Sequence, residues 1–209
     1  MMRSFFTLTL SVLLPACLSA QPPDTAQPPK SPQQGNKPML GLTLEIVAKK
    51  NVYVFDGGGK TPQEYKKHLE SLAERLKKGE AVDPPSPLQI DLVLRLTNTS
   101  EQPIVVHVGG DPNVYTFTLS GGSGVVVMNN PVAFTTEFRM PKAITLAPGK
   151  SHDIPVTTLA DGHRGFSRLL FWTGPGEYTL TAEYVLTDAE GRPGITLKSS
   201  PTKITVRQK

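Results

Sequence analysis

The stretch Leu88–Thr97 reads LQIDLVLRLT and decides the fold. Leucine or isoleucine stands at every second position from Leu88 to Leu96, and mostly polar residues stand between them. Successive side chains of a β-strand point to opposite faces, so this alternation predicts a strand with one face in a core and the other toward solvent.

Other extended runs lie on both sides of this strand. They cover residues 40–46, 52–55, 104–108, 114–119, 125–128, 143–146, 151–156, 166–172, 178–187 and 204–207. Clusters of glycine, proline, aspartate and serine separate them, as is typical of turns. Because no helices alternate with these runs, the pattern predicts an all-β fold, an antiparallel β-sandwich of seven to nine strands over residues 39–209.

One segment, about residues 62–78, has helical periodicity. Its apolar stripe consists of Tyr65, Leu69, Leu72 and Leu76. Thr61 and Glu64 form a Thr-x-x-Glu capping box, Pro62 suits the first helical position, and Gly79 suits the end. The sequence therefore predicts one amphipathic helix, inserted between early strands and packed on the flank or edge of the sandwich.

Three segments resemble bacterial immunoglobulin-like domains. They are Leu92–Ile104, Leu146–Ser151 and Pro175–Ala182, and together they span roughly residues 88–186. The resemblance implies an immunoglobulin-like sandwich. It also implies that Tyr178, where the penultimate strand begins, is buried and bonds back to the Pro175-Gly176 corner.

The Pro-Gly turn and the Pro-Gly-x-Tyr strand are also similar to the bacterial intracellular proteinase inhibitor family. That family would place a tryptophan shortly after the mid-chain turn, and residues 154–157 contain none. The antibody-type cysteine pair is absent as well, since the chain has one cysteine. The resemblance therefore implies the architecture and does not carry inhibition to this chain.

The first residues have the pattern of an export signal. Arg3 precedes a short apolar run, Phe5–Leu14, which is too short to span a bilayer as a helix. Cleavage before Gln21 gives a signal over residues 1–20. A lipobox reading of residues 14–17 is the alternative, with a lipoprotein signal over residues 1–16 and Cys17 as the lipid attachment site.

The segment after the signal, residues 21–38, contains six prolines and three charged residues. Proline pairs favour extended polyproline geometry, so we interpret this segment as a linker before the sandwich. We expect the protein in the periplasm or cell envelope, with no transmembrane span. It reaches a membrane surface only if Cys17 carries lipid.

Composition excludes several function classes. A single cysteine rules out internal disulfides and zinc sites built on several thiolates, and no histidine pair has metal-ligand spacing. The net charge of +4 is spread along the chain, without the basic stripe and aromatic platforms of a nucleic-acid interface. We expect no metal, no cofactor and no nucleic-acid partner.

The longest candidate recognition segment is residues 156–172. Its charged members Asp161, His163, Arg164 and Arg168 are the candidate binding residues. Arginine and tryptophan are enriched at binding hot spots. The alternative reading is that Phe171 or Trp172 fills the core while the charged side chains lie in solvent.

Three functions remain compatible with the sequence. The first is a non-catalytic exported envelope module that binds an unknown envelope protein or polymer. The second is a protease inhibitor acting through an exposed loop, with residues 161–168 as the loop to consider. The third is a hydrolase whose site assembles from His152, Asp153, Asp161 and His163. No catalytic motif supports the third, so the sequence predicts a protein that is not an enzyme.

Overall fold

The computed structural model describes residues 41–112, 114–132 and 136–209. The predicted export signal, the predicted linker and Cys17 lie outside the described residues. The one helix of the described chain is α1 (Pro62–Lys77). The strands are β1 (Leu42–Ala48), β2 (Val52–Phe55), β3 (Gln89–Asn98), β4 (Ile104–Val108), β5 (Val114–Gly121), β6 (Val125–Pro131), β7 (Lys142–Leu146), β8 (Ser151–Thr158), β9 (Ala160–His163), β10 (Phe166–Trp172), β11 (Gly176–Thr187), β12 (Pro193–Lys198) and β13 (Thr202–Gln208).

These strands form three hydrogen-bonded sheets. The β3 sheet has the order β1-β3-β8. The β11 sheet has the order β2-β13-β11-β4-β7, and β5 and β12 also pair with β11. The β10 sheet has the order β6-β10-β9. All named pairings are antiparallel except that of β2 with β13.

The central core lies between the β3 sheet and the β11 sheet. The β3 side chains Leu92, Leu94 and Leu96 are at most 1% exposed and belong to the same apolar cluster as Leu180 and Ile204 of the β11 sheet. The predicted strand is therefore present with its leucines inward. The prediction of an all-β, immunoglobulin-like sandwich is confirmed.

The strand β10 has two buried faces. Leu170 and Trp172 join the central core, whereas Leu169 and Phe171 join a second apolar cluster with Leu69 of α1. A strand between two apolar layers has no polar face, which explains the unbroken run of residues 169–172. The helix thus covers the outer face of the β10 sheet. Its predicted position on the flank and its Thr61–Glu64 capping box are confirmed.

The sequence does not predict two of the strands, and the described residues form thirteen strands where seven to nine are expected. The strand β9 reads ADGH and β12 reads PGITLK, so the first shows no apolar alternation and the second begins with turn residues. Each forms by pairing with a longer neighbour, β10 and β11 respectively. Tertiary pairing creates these strands where local propensity is weak.

The tyrosine corner is present. The ring of Tyr178 is 1% exposed, and its hydroxyl donates to the carbonyl of Gly174 at 2.8 Å. The same hydroxyl accepts from the amide of Ser123 at 3.2 Å. The predicted burial of Tyr178 and its bond to the backbone of the preceding corner are confirmed.

Candidate functional site

The candidate residues Asp161 and Arg168 form an ion pair inside the β9–β10 hairpin. The register of the hairpin places them directly opposite each other. Arg168 donates from Nε to Oδ1 at 2.9 Å and from Nη2 to Oδ2 at 2.7 Å. The Asp161 side chain is 1% exposed and the Arg168 side chain 29%. Such a fork-to-fork geometry holds both side chains in one position.

The same pair connects two sheets through the backbone of Phe117 in β5. Asp161 Oδ2 accepts the amide N–H of Phe117 at 2.6 Å, and Arg168 Nη2 donates to its carbonyl at 2.6 Å. A buried strand edge must satisfy its amide and carbonyl groups. Here the side chains of Asp161 and Arg168 supply the hydrogen bonds that a neighbouring strand would otherwise make. The pair therefore joins the β10 sheet to the β11 sheet. We call this arrangement the joint.

The candidate residues His163 and Arg164 lie at the turn of the same hairpin. His163 stacks on Phe166 with ring centroids 5.2 Å apart, and its Nδ1 lies 3.1 Å from the carbonyl oxygen of Arg164. The guanidinium of Arg164 lies over the ring of Phe138 at 5.7 Å. The structure therefore divides the four candidates into an ion pair, in which Asp161 is buried, and two residues at the turn, of which His163 is exposed.

Opposite this turn runs a segment without regular secondary structure, Glu137–Met140, which we call the exposed strip. All four of its residues are exposed. Phe138 is 52% and Met140 48% exposed, which is unusual for large apolar side chains. The strip leads into the edge strand β7.

The strip is held at Arg139 by Asp111 of the β4–β5 turn. Asp111 Oδ2 accepts the amide of Arg139 at 3.2 Å, and Asp111 Oδ1 accepts its Nε at 2.9 Å. The amide of Asp111 in turn donates to the carbonyl of Arg139 at 2.9 Å. Both backbone groups and the side chain of Arg139 are thus fixed to one residue.

Two further features tie the strip to this turn. A Cβ at Gly110, whose φ is +73°, would lie 2.7 Å from the carbonyl carbon of Met140, so only glycine allows the close approach. The amide and guanidinium of Arg139 lower the pKa of the Asp111 carboxyl, the amide bond being the largest cause. Asp111 is therefore ionised when it holds the strip.

A cleft of about 680 Å³ separates the strip from the hairpin turn. Asp111, Glu137 and Arg139 line one side, and Asp161, His163 and Arg164 line the other. Its lining is mostly polar. Three of the four candidate residues border it, while Arg168 lies behind in the joint.

The residues of the hydrolase hypothesis do not form one cluster. Asp153 of β8 pairs with Arg95 of β3 at 2.8 Å, whereas Asp161 pairs with Arg168 on another sheet. The described ranges contain no group of three or more histidine, cysteine, aspartate or glutamate residues that could hold a metal ion. Phe171 and Trp172 are buried, as the alternative reading of residues 156–172 expected.

Sequence reasoning missed the exposed strip. Its only local signal is a phenylalanine and a methionine in a stretch with no apolar periodicity. Asp111 is 28 positions from Arg139, and no sequence pattern connects them.

Comparisons with known proteins add little. No family model and no curated protein sequence matches the chain. Among solved structures, native alpha-2-macroglobulin from Escherichia coli, spanning domain MG7 to the C-terminus, matches 56% of this chain at 20% identity with a TM-score of 0.25. The match covers 14% of that chain. The immunoglobulin-like class rests on the sheets and core described above.

Proposed function

We propose that this protein is a non-catalytic, exported module that binds a protein partner through the exposed strip and the neighbouring hairpin turn. The exposure of Phe138 and Met140 beside the cleft carries the proposal. Aromatic residues, methionine and arginine are enriched at protein interfaces, and here Arg139 and Arg164 accompany the two apolar side chains.

Pre-organisation supports the same proposal. Asp111 fixes Arg139 at its amide, its carbonyl and its side chain, so the strip loses little conformational freedom when a partner binds. A flexible segment with the same side chains would bind more weakly. The rigidity of the strip thus favours recognition over a purely connecting role.

Capture from an envelope extract tests the proposal. The immobilised wild-type protein should retain a partner that the double variant Phe138→Ala/Met140→Ala loses. The matched control is Val54→Ala, because Val54 is 56% exposed on β2 and equally apolar. Equal capture by wild type and the double variant would place the interface elsewhere.

The exported location is supported by the N-terminal sequence pattern. No helix in the part of the chain that the structure describes is long and apolar enough to cross a membrane. Deletion of residues 1–20 should keep the protein in the cytoplasm. Labelled palmitate that is incorporated by the wild type and not by Cys17→Ser would establish the lipid anchor. A mature terminus at Gln21 would exclude it.

The exposed strip also favours the second function, protease inhibition. Inhibition needs an exposed, rigid loop, and residues 161–168 instead form a short hairpin whose charged pair is buried in the joint. The exposed strip meets the requirement better, with Phe138 as the side chain for an apolar specificity pocket. The wild type should then inhibit chymotrypsin, and Phe138→Arg should transfer inhibition to trypsin. Rapid cleavage after Phe138 would show a substrate and no inhibitor.

A further inference from the structure

We infer that the partner presents an acidic segment with a large apolar side chain, which docks on the exposed strip and the hairpin turn. This inference rests on the proposed function and names the chemistry of its partner. It follows from how the charges of this surface are distributed between the outside and the inside of the molecule.

In the ion pair that holds the strip, the carboxylate is buried and the guanidinium is exposed. The Asp111 side chain is 7% exposed, whereas that of its partner Arg139 is 76% exposed. The Asp161 carboxylate, which also borders the cleft, is 1% exposed and is paired with Arg168. A docking molecule therefore meets the guanidinium of Arg139 before the shielded carboxylates of Asp111 and Asp161. Coulomb energy falls with distance, so the nearer cations dominate.

Two further cations and one exposed carboxylate complete the charges of this surface. Arg164 borders the cleft, and exposed Lys142 begins β7 two residues beyond the strip. Glu137 is the one exposed carboxylate among the described residues that line the cleft. This distribution favours carboxylate-bearing partners.

The apolar side chains select an acidic protein over a simple polyanion. Phe138 and Met140 flank Arg139, and each leaves about half of its side chain in water. Their burial stabilises a complex only if the partner supplies apolar surface. A polysaccharide or polyphosphate supplies charge alone, whereas a protein segment with an aromatic or aliphatic side chain between acidic residues supplies both.

Fluorescence anisotropy with labelled peptides tests this inference. The probes are a peptide rich in aspartate and glutamate with one central phenylalanine, the same peptide with alanine at the centre, and its lysine counterpart. The acidic peptide with phenylalanine should bind the mature protein, and the other two should bind at least about tenfold more weakly. Raising NaCl from about 0.05 M to about 0.5 M should weaken binding, because salt screens exposed charges.

Charge reversal supplies the variants. Lys142→Glu/Arg164→Glu should weaken the acidic peptide about tenfold or more and improve the lysine peptide, a gain that misfolding could not produce. The matched control is Lys203→Glu, an exposed lysine on β13. Heparin serves as a polyanion probe without apolar groups.

The outcomes separate the inference from the proposed function. Three results would overturn the acidic-segment inference. They are failure of the acidic peptide to bind, equal binding of the lysine peptide, and heparin binding that is as tight as that of the acidic peptide and unaffected by Phe138→Ala. If an envelope partner were still captured through Phe138 and Met140 in that case, the proposed function would stand. If no capture depended on those two side chains, the proposed function would fail as well.

Discussion

The joint and the exposed strip each depend on an arginine–aspartate pair, and the pairs do different things. In the joint, Asp161 and Arg168 bond to each other and to the backbone of Phe117. In the strip, Asp111 fixes the backbone and side chain of Arg139 and leaves the guanidinium 76% exposed. The first pair connects two sheets, and the second holds the exposed strip in position at the surface.

Burial explains the difference. A buried pair loses much of its hydration, so removal of one partner leaves an uncompensated charge. In the strip only Asp111 is shielded, while Arg139 is 76% exposed and keeps its water, so this pair contributes less to global stability although it fixes local geometry. We therefore expect variants at the joint to affect folding and variants at the strip to affect local order and recognition.

The largest effect should come from the joint. Arg168→Met leaves the carboxylate of Asp161 buried and removes the donor to the Phe117 carbonyl. The free energy of unfolding should fall by about 3 kcal/mol, toward the lower end for a buried pair because the Arg168 side chain is 29% exposed. Urea unfolding monitored by circular dichroism measures this.

A double variant separates lost charge from lost packing. Asp161→Leu/Arg168→Met removes both charges, so it should recover part of the stability that Arg168→Met loses. If Arg168→Met changed the free energy of unfolding by less than about 0.5 kcal/mol, the joint would be no stronger than a surface pair.

Tyr178→Phe should have the next largest effect. It removes a neutral hydroxyl from the corner and leaves the carbonyl of Gly174 and the amide of Ser123 without this partner. We expect a loss of about 1 kcal/mol in the free energy of unfolding, the usual net value of such a bond. A loss as large as that of Arg168→Met would show that charge is not what distinguishes the joint.

Sequence patterns predict the parts of the fold that short-range physics controls. The alternation of β3 and the capping box of α1 are local, and both are present as expected. The sequence predicts Asp161 and Arg168 as binding residues and gives no sign of their contacts in the joint, because Phe117 lies 44 positions before Asp161. The strip was missed for the same reason, since Asp111 holds it from 28 positions away. Long-range hydrogen bonds leave no periodic signal.

A smaller, local effect is expected at Asp111. Its pKa is lowered in the folded protein, so its contribution is complete above the unfolded value of about 3.9 and is lost as the pH falls through the lower folded value. The amide resonance of Arg139 should shift over that acidic range in NMR spectra. Asp111→Asn should abolish this titration and increase the rate of tryptic cleavage after Arg139 severalfold. An Arg139 resonance that does not respond to pH would contradict the contact.

The smallest effect on stability should come from Phe138→Ala, which makes it the sharpest test of the difference between the two regions. Phe138 is 52% exposed and its ring faces the guanidinium of Arg164, so truncation should change the free energy of unfolding by no more than about 0.5 kcal/mol. Phe117→Ala is the matched control, since Phe117 is 1% exposed and its loss should cost about 3–5 kcal/mol. Urea unfolding of both variants, together with capture of the envelope partner, completes the comparison. Phe138→Ala should keep the stability of the wild type and lose the partner. A large loss of stability would instead mean that Phe138 serves the core and that the strip is not a recognition surface.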